Sequence, residues 1–271
     1  MNFTFRVVKR PTIDVDFSAG TQTRTNLSAV AQSPSGAMAS IRPSIVVTIT
    51  GNRPATTADF DGDADTDVSI FRPTTGGWYI EGKNPVFHGI AGDIPVPGNY
   101  DGDTDVDISV FRPSVGGWYV QGGSTVFHGL EGDIPVPGNY DGGGNDDIAV
   151  FRPSVGGWYI QGQSPVFFGL TGDIPVPGDY DGDGDGDIAI FRPSVGGWYV
   201  HGQSPVFFGL NGDIPVPGNY DADAAYEMAV FRRTTGAWFI SGGTTQFLGG
   251  PGDVPLPLPD RIYRFFTFAG G

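Results

Sequence analysis

The sequence predicts an all-β protein, a β-propeller whose blades are 40-residue, four-stranded repeats. Three observations lead to this prediction: a strict 40-residue period, four short apolar segments in each period, and apolar side chains on both faces of those segments. Five full repeats run from about residue 54 to residue 253. The tryptophans mark the period at Trp78, Trp118, Trp158, Trp198 and Trp238.

The four apolar segments of one repeat are typical of short strands joined by tight turns. In the fourth repeat they read IPVPGDY at 174–180, DIAIFRP at 187–193, GWYVHG at 197–202 and PVFFGL at 205–210. Gly-Gly and Gly-Gln-Ser-Pro turns separate the later segments, as hairpins require. Apolar residues at 188–191 point alternately to both faces, so the sheet must lie between two neighbours. Radial repetition of such sheets gives a propeller, whereas an open solenoid would need capped ends.

The two ends of the chain predict how the propeller closes. Residues 36–53 align with a third and a fourth strand, and residues 252–268 align with a first and a second strand that lack the intervening loop. Together they would form a composite sixth blade, and a five-bladed ring with extra terminal strands is the alternative. The predicted propeller therefore spans 36–271. Residues 1–35 are expected to form a strand-like arm and then a linker rich in Ser, Thr and Ala.

Composition and charge exclude several classes of protein. The 271 residues include 44 Gly and 23 Pro, yet 13% are aromatic and recur at fixed spacing, which indicates tight turns rather than disorder. The net charge of -15 makes nucleic acid and anionic membranes poor partners. The sequence has no apolar segment of membrane-spanning length and no visible signal peptide. Because cysteine is absent, disulfides and zinc–thiolate sites are excluded.

Acidic residues are concentrated in one nine-residue loop of each repeat, directly before the second predicted strand. The loops are DFDGDADTD at 59–67, NYDGDTDVD at 99–107, NYDGGGNDD at 139–147, DYDGDGDGD at 179–187 and NYDADAAYE at 219–227. Two carboxylates about 6 Å apart repel by about 3 kcal/mol at an effective dielectric of about 20. Lysine is nearly absent, so a hard divalent cation is the expected partner. Calcium takes six to eight oxygens, which alternating oxygen side chains in a glycine-containing turn can supply.

The fourth loop and the strand after it, DYDGDGDGDIAIFRP, resemble the calcium loop of VCBS and FG-GAP repeats, which occur in bacterial surface proteins and in the integrin α-chain propeller. The resemblance covers residues 54–258 and includes the loop, the strand and the period. It implies calcium ligation by side chains at loop positions 1, 3, 5 and 9 and by a main-chain oxygen at position 7. The residues at these positions in blades one, two and four are Asp59, Asp61, Asp63, Asp65, Asp67, Asn99, Asp101, Asp103, Asp105, Asp107, Asp179, Asp181, Asp183, Asp185 and Asp187.

The third and fifth loops depart from this pattern. The third loop has Gly143 at position 5, which predicts a weak or empty site. The fifth loop has Ala222 in place of the turn glycine and a glutamate at position 9, which predicts a lower affinity. The candidate ligands that remain are Asn139, Asp141, Asp147, Asn219, Asp221, Asp223 and Glu227. The predicted cofactor is calcium, three to five ions per chain, and the alternative is a set of Asx-turns on an acidic surface without an ion.

Other recurring residues receive structural interpretations. An aspartate in each GDIP or GDVP segment and an arginine in each FR segment predict a repeated ion pair between strands or blades. A ring of arginines that binds anions is the less favoured alternative. Tryptophan and tyrosine alternate on the third strand, which predicts core packing on both faces in preference to sugar stacking. Phenylalanine replaces His88 and His128 in later repeats, and no catalytic set of residues stands out, so an enzyme is not expected.

These features favour a non-catalytic, calcium-stabilised propeller outside the cell or at its surface, acting in binding, adhesion or surface structure. One alternative is a self-assembling subunit of a surface filament or layer, because residues 1–53 carry six basic and two acidic residues before a strongly acidic body. Another alternative is a propeller lectin that binds glycans. The expected partners are calcium ions and, in addition, a second copy of the chain, a surface glycan or a surface protein. Nucleic acid and membrane insertion are not expected.

Overall fold

The five repeats form antiparallel β-sheets arranged as a five-bladed β-propeller. A computed structural model describes the backbone of residues 29–32 and 38–41, and backbone and side chains of 58–62, 67–103, 105–221 and 225–250. The chain divides into two compact units, Met1–Thr50 and Gly51–Gly271, and the second contains all five blades. The described residues form strands, turns and loops, with no helix that could cross a lipid bilayer.

The strands repeat with the period of the sequence. Two strands lie in the first unit, β1 (Ala29–Gln32) and β2 (Met38–Ile41). The blade strands are, in chain order, β3 (Ser69–Arg72), β4 (Gly77–Ile80), β5 (Val86–Phe87), β6 (Ile94–Pro95), β7 (Ser109–Arg112), β8 (Gly117–Val120), β9 (Val126–Phe127), β10 (Ile134–Pro135), β11 (Ala149–Arg152), β12 (Gly157–Ile160), β13 (Val166–Phe167), β14 (Ile174–Pro175), β15 (Ala189–Arg192), β16 (Gly197–Val200), β17 (Val206–Phe207), β18 (Ile214–Pro215), β19 (Ala229–Arg232), β20 (Ala237–Ile240) and β21 (Gln246–Phe247).

Each blade is a meander in which neighbouring strands of the sequence pair with each other. In the fourth blade, Phe191 on β15 pairs with Ile174 on one side and with Trp198 on the other. The regular first strand of that blade is only two residues long, because the prolines at 175 and 177 lack the N–H groups that would continue the ladder, although Val176 still donates to the main-chain oxygen of Ala189 at 2.9 Å. Four strands per repeat are confirmed for blades two to five. The first blade shows three, and its predicted first strand lies outside the described residues.

The apolar core lies between neighbouring blades. Trp158 packs with Phe151 on the face that meets the next blade, where it contacts a cluster containing Ile190 and Tyr199. The indole N–H of Trp158 donates to the main-chain oxygen of Phe168 at 2.9 Å, so the buried ring has its polar group paired. The other junctions repeat this arrangement, with the tryptophan facing forward and a tyrosine, or Phe239 in the fifth blade, facing back. The predicted core role of these aromatic residues is confirmed.

The recurring aspartate and arginine form an ion pair at each junction from blade two onward. Asp173, on the connection between blades three and four, accepts hydrogen bonds from Nε and Nη2 of Arg192 at 2.8 Å each. The same carboxylate accepts the main-chain N–H of Leu170 at 2.7 Å. The equivalent pairs are Arg112–Asp93, Arg152–Asp133 and Arg232–Asp213. The predicted ion pair is therefore confirmed, and it ties the connection between two blades to the second strand of the later blade.

The first unit contains a two-stranded hairpin. Strand β1 pairs antiparallel with β2, and Ala29 lies opposite Ile41. Residues 29–32 fall in the predicted linker but form a strand, because a second short segment of strand-forming sequence follows after five residues that include Pro34 and Gly36. The predicted third strand at 36–40 therefore pairs with β1. The other strands proposed for a composite sixth blade, at 42–53 and 252–268, lie outside the described residues.

Replacing Asp173 with alanine should lower the free energy of unfolding by about 3 kcal/mol, because the change leaves the Arg192 guanidinium and the Leu170 N–H without their acceptor in a mostly buried place. Urea unfolding followed by tryptophan fluorescence, in calcium-containing buffer, measures the effect. Thr171→Ala, an exposed neighbour, is the matched control and should change little. A loss below about 1 kcal/mol for Asp173→Ala would contradict this role for the pair.

Candidate metal centre

Each aspartate loop connects the first and second strands of its blade and is closed by the side chain at position 9. In the fourth loop, a backbone bridge joins Gly178 and Asp187. Oδ2 of Asp187 accepts the main-chain N–H of Tyr180, at position 2, at 2.9 Å. The corresponding closing bonds are Phe60–Asp67, Tyr100–Asp107, Tyr140–Asp147 and Tyr220–Glu227. Position 9 therefore sets the loop shape as well as supplying a carboxylate.

The aromatic side chain at position 2 anchors the loop to the core. The Tyr180 hydroxyl donates to the main-chain oxygen of Val176 at 2.7 Å, and its ring lies 6.4 Å from that of Trp198 in an edge-to-face arrangement. Burial raises the pKa of Tyr180 well above its usual range, and the charges of Tyr226 and Asp187 add to the rise. The acidic residues before and after position 2 are consequently held at the surface directly above the apolar core.

Two loops bring three carboxylates to one point. In the first loop, Asp59, Asp61 and Asp67 each place one oxygen within 4.8 Å of the others. In the fourth loop, the residues with the same geometry are Asp179, Asp181 and Asp187. These are positions 1, 3 and 9, three of the four side-chain positions that the resemblance implies, and Asp183, at position 5 of the fourth loop, is not part of the cluster. Calcium–oxygen distances of about 2.3–2.6 Å place ligands across the ion about 5 Å apart, so both clusters fit a calcium ion.

Glycines at positions 4 and 6 let the main chain curl around the first carboxylate. Gly182 and Gly184 have φ values of 77° and 98°, a region that side chains with a Cβ rarely adopt. Their N–H groups donate to Oδ1 and Oδ2 of Asp179 at 2.6 and 3.0 Å. The position-1 carboxylate is thus oriented by the loop itself.

Positions 5 and 7 place two further carboxylates at the exposed end of the loop. In the fourth loop, Oδ1 of Asp183 accepts the main-chain N–H of Asp185 at 3.1 Å. A hydrogen bond between the two side chains raises the pKa of Asp185 and lowers that of Asp183. Asp103 and Asp105 behave in the same way in the second loop. The predicted ligands Asp63, Asp65 and Asp223 lie outside the described residues.

The second loop has an amide where the fourth has a carboxylate. Oδ1 of Asn99 accepts the main-chain N–H of Gly102 at 2.8 Å, which keeps the same turn closed. Burial raises the pKa of Asp107, and the charges of Asp101 and Asp103 add to this effect. The three carboxylates therefore interact electrostatically, but among the described residues only the first and fourth loops bring three carboxylate oxygens within 4.8 Å of one another. The candidate metal ligands of this loop are one amide oxygen and three carboxylates. This set suits the same ion as the fourth loop but carries one negative charge fewer.

The third loop contains a buried oxygen that has no hydrogen-bond partner among the described residues, Oδ1 of Asn139. Its Nδ2 donates to the main-chain oxygen of Gly184, in the fourth loop, at 3.3 Å. An unpaired buried acceptor destabilises the folded state. Asp141 lies at position 3, where its Oδ1 accepts the N–H of Gly143 at 2.8 Å. The third loop therefore has one unpaired acceptor at position 1, and it is not among the loops whose carboxylates cluster.

The fifth loop is closed by a longer side chain. Oε2 of Glu227 accepts the main-chain N–H of Tyr220 at 2.5 Å, so glutamate performs the closing function of aspartate. Burial, together with the charge of Glu227, raises the pKa of Tyr220 to about 12. Asn219 and Asp221 complete the described candidates, and residues 222–224 lie outside the described part of this loop.

Neighbouring loops are joined by main-chain hydrogen bonds that were not predicted from sequence. The N–H at position 8 donates to the main-chain oxygen at position 1 of the preceding loop. The four bonds are Val106 to Asp59 at 2.7 Å, Asp146 to Asn99 at 2.6 Å, Gly186 to Asn139 at 2.5 Å and Tyr226 to Asp179 at 2.6 Å. Oδ2 of Asp146 also accepts the N–H of Asn99 at 2.9 Å. Because any residue except proline supplies this N–H, the variable position 8 carries almost no sequence signal.

Burial shapes the titration of the position-9 carboxylates. It raises the pKa of Asp107, Asp147 and Asp187 above the usual value near 3.8, and the other loop charges add to the rise. Without a cation, these groups therefore prefer the protonated form more than they do in an unfolded chain.

Comparisons with known proteins return no match. A scan against family models matches no family, and searches of curated proteins and of solved structures find no similar protein. The resemblance to VCBS and FG-GAP repeats therefore rests on the loop sequence and the 40-residue period, and it stays a proposal.

Removing divalent ions should reverse the pH dependence of stability. In a chelator, the melting temperature should rise as pH falls from about 6 to about 4, because the raised pKa values of Asp107, Asp147 and Asp187 make the folded chain bind more protons than the unfolded chain. In calcium, it should fall over the same range, because the ion requires ionised carboxylates. Thermal melts monitored by circular dichroism measure both slopes. Equal slopes with and without calcium would contradict this description of the loops.

Proposed function

We propose that the protein is a non-catalytic, calcium-stabilised propeller that acts in binding, adhesion or surface structure outside the cell, with three to five calcium ions per chain. The observation that supports this most strongly is the convergence of Asp179, Asp181 and Asp187 on one point. The same loop repeats, with variations, in every blade. A protein whose acidic loops all lie between the first two strands of their blades has a repeated ion site as part of its architecture.

The charge of the fourth loop has no cationic partner among the side chains that the structure describes. Among the described residues, no lysine or arginine pairs with its five aspartates; the ion pairs found there involve the Asp–Arg junctions between blades. Lys83 reaches only the first loop, where its Nζ donates to the main-chain oxygen of Phe60. A divalent cation is the simplest species that offsets the remaining repulsion and satisfies several carboxylate oxygens together.

An extracellular location follows from the strength expected of such sites. Calcium outside cells is about 1 mM, so a site with a Kd of about 0.01 mM is occupied there, with the free ion about 100-fold above its Kd. A site with a Kd 100-fold below the free calcium concentration adds about 2.7 kcal/mol, so three such sites add about 8 kcal/mol. That sum is comparable to the whole stability of a typical domain. Calcium in this proposal is structural, and the VCBS and FG-GAP resemblance supports the same role.

Replacing Asp181 with asparagine tests the ion site against an ion-free Asx-turn. The amide oxygen can still accept the N–H of Asp183, so the turn survives while one charge is removed. We expect a higher melting temperature than the parent in chelator, because repulsion is reduced, and a smaller increase on adding calcium, because a ligand is weakened. Differential scanning calorimetry measures both.

Glu131→Gln removes the same charge at an exposed position outside the loops and is the control for this comparison. It should leave the calcium-induced shift unchanged. If Asp181→Asn shows the same calcium-induced shift as the parent, or if the parent itself melts within a few degrees in calcium and in chelator, the calcium proposal is wrong.

A second candidate function is self-assembly into a surface filament or layer. It is favoured by the charge distribution, since residues 1–53 are mainly basic and the repeats that follow are strongly acidic. A basic segment of one chain would be attracted to the acidic loops of another, more strongly at low salt.

Electron microscopy of the full chain and of a variant lacking residues 1–35 tests assembly. The self-assembly proposal predicts ordered polymers for the full chain and monomers for the truncation. Monomers in both samples, at low salt and with calcium, would remove this candidate and leave the calcium proposal untouched.

A further inference from the structure

Each of the first four blades contains an arginine whose guanidinium stacks on a tyrosine ring. In the fourth blade, Arg192 lies 4.4 Å from the centre of the Tyr199 ring, with Nε and Nη2 bound to Asp173. In the first blade the tyrosine hydroxyl is a further acceptor, since Nη1 of Arg72 donates to the Tyr79 hydroxyl at 3.0 Å. In blades two to four, donation to the paired aspartate and, to a smaller extent, interaction with the tyrosine raise the pKa of the arginine.

The fifth blade differs at two linked positions. Phe239 replaces the tyrosine, and Ala237 replaces the glycine two residues before it. In the fourth blade, a Cβ at Gly197 would lie 2.9 Å from Cε2 and 3.3 Å from the hydroxyl of Tyr199, so alanine and tyrosine cannot occupy these positions without a shift. The alanine methyl group therefore takes space that the tyrosine edge fills in the other blades, and the hydroxyl is lost with it.

Loss of the hydroxyl leaves one edge of Arg232 without an acceptor. Its Nε and Nη2 bind Asp213 at 2.8 Å, and the guanidinium lies 4.4 Å from the centre of the Phe239 ring. No residue in the described part of the chain accepts a hydrogen bond from Nη1. Solvent reaches Arg232, because a quarter of its side chain is exposed. It can therefore donate to an added molecule.

A surface depression opens at this arginine, between the fourth and fifth blades. Its volume is about 230 Å³, and it is lined by Phe208, Gly209, Leu210, Val230, Arg232 and Phe239. The walls are apolar or aromatic, with the guanidinium as the only charged group among them. Sites for drug-sized ligands usually exceed about 300 Å³, so the volume of this depression suits a ligand with a single ring.

The charge around the depression determines which kind of ligand oxygen can accept a hydrogen bond from Arg232. Asp213 already neutralises Arg232, and the chain carries a net charge of -15, so an added carboxylate or phosphate gains little and is repelled at long range. A neutral hydroxyl oxygen replaces the group that the tyrosine provides elsewhere. Aromatic side chains such as Phe208 and Phe239 also pack well against the face of a ring.

We propose that the depression between blades four and five binds a small neutral ring that carries a hydroxyl group, with the hydroxyl oxygen accepting from Nη1 of Arg232. A sugar residue and a phenol are two sources of this chemistry. The site goes beyond the calcium proposal and does not depend on it, because none of its residues belongs to an aspartate loop. One hydrogen bond and one stacked ring predict a Kd of about 1–10 mM.

The test is nitrogen-15 NMR of the full chain in calcium buffer, titrated with methyl glycosides of glucose, galactose and mannose and, in a separate arm, with phenol. Saturable shifts at the Arg232 Nε–H and the Gly209 and Leu210 amides are expected for at least one probe, and the responding arm identifies the source. The absence of a saturable shift at these groups up to about 50 mM of every probe would overturn the proposal, because that limit lies well above the expected Kd.

The double variant Ala237→Gly/Phe239→Tyr rebuilds the arrangement of the first four blades and is the matched control. It should keep the parent melting temperature and bind the responding probe at least tenfold more weakly, because the tyrosine hydroxyl occupies the donor. Leu210→Glu, at an exposed wall position, supplies a carboxylate to the same donor and should have the same effect even if the double variant folds poorly. Unchanged binding in a folded variant of either kind would show that Arg232 is not the site.

Discussion

The mutual repulsion of carboxylates within each aspartate loop is the constraint on which the rest of the structure depends. The loop cannot spread to relieve it, because position 9 accepts the N–H of position 2 and the position-2 ring is fixed in the core. For the fourth loop, this means that Asp187 and Tyr180 hold the acidic side chains close together whether or not a cation is present. The raised pKa of Asp187 is one consequence of this crowding and burial.

The same constraint extends from one blade to the next. The main-chain oxygen of Asp179 accepts the N–H of Tyr226 while its carboxylate faces the centre of its own loop. A residue that would bind an ion in one blade therefore also positions the loop of the following blade. Each junction therefore has three layers. The main-chain bonds between loops form a polar layer at the loop end, and the tryptophans form an apolar layer in the middle. The Asp–Arg pair lies near the connection between blades.

Much of this arrangement was predictable from sequence because it follows from spacing and side-chain type. The 40-residue period of tryptophan and arginine predicted the blades, and alternation along 188–191 predicted sheets packed on both faces. The resemblance to VCBS and FG-GAP repeats implied convergence of positions 1, 3, 5 and 9, and the fourth loop brings together positions 1, 3 and 9 without Asp183. The bonds made by position 8 were not predictable, since a main-chain N–H leaves no compositional trace. The depression at Arg232 depends on the joint effect of Ala237 and Phe239, each of which is conservative when considered alone.

The most direct test of the account is a crystal structure of the protein grown in millimolar calcium, with anomalous diffraction data collected to identify the ions. The account predicts an anomalous peak inside the first, second and fourth loops, with carboxylate oxygens about 2.3–2.6 Å from each peak. Well-ordered loops at these three places with no peak and only water among the carboxylates would contradict it.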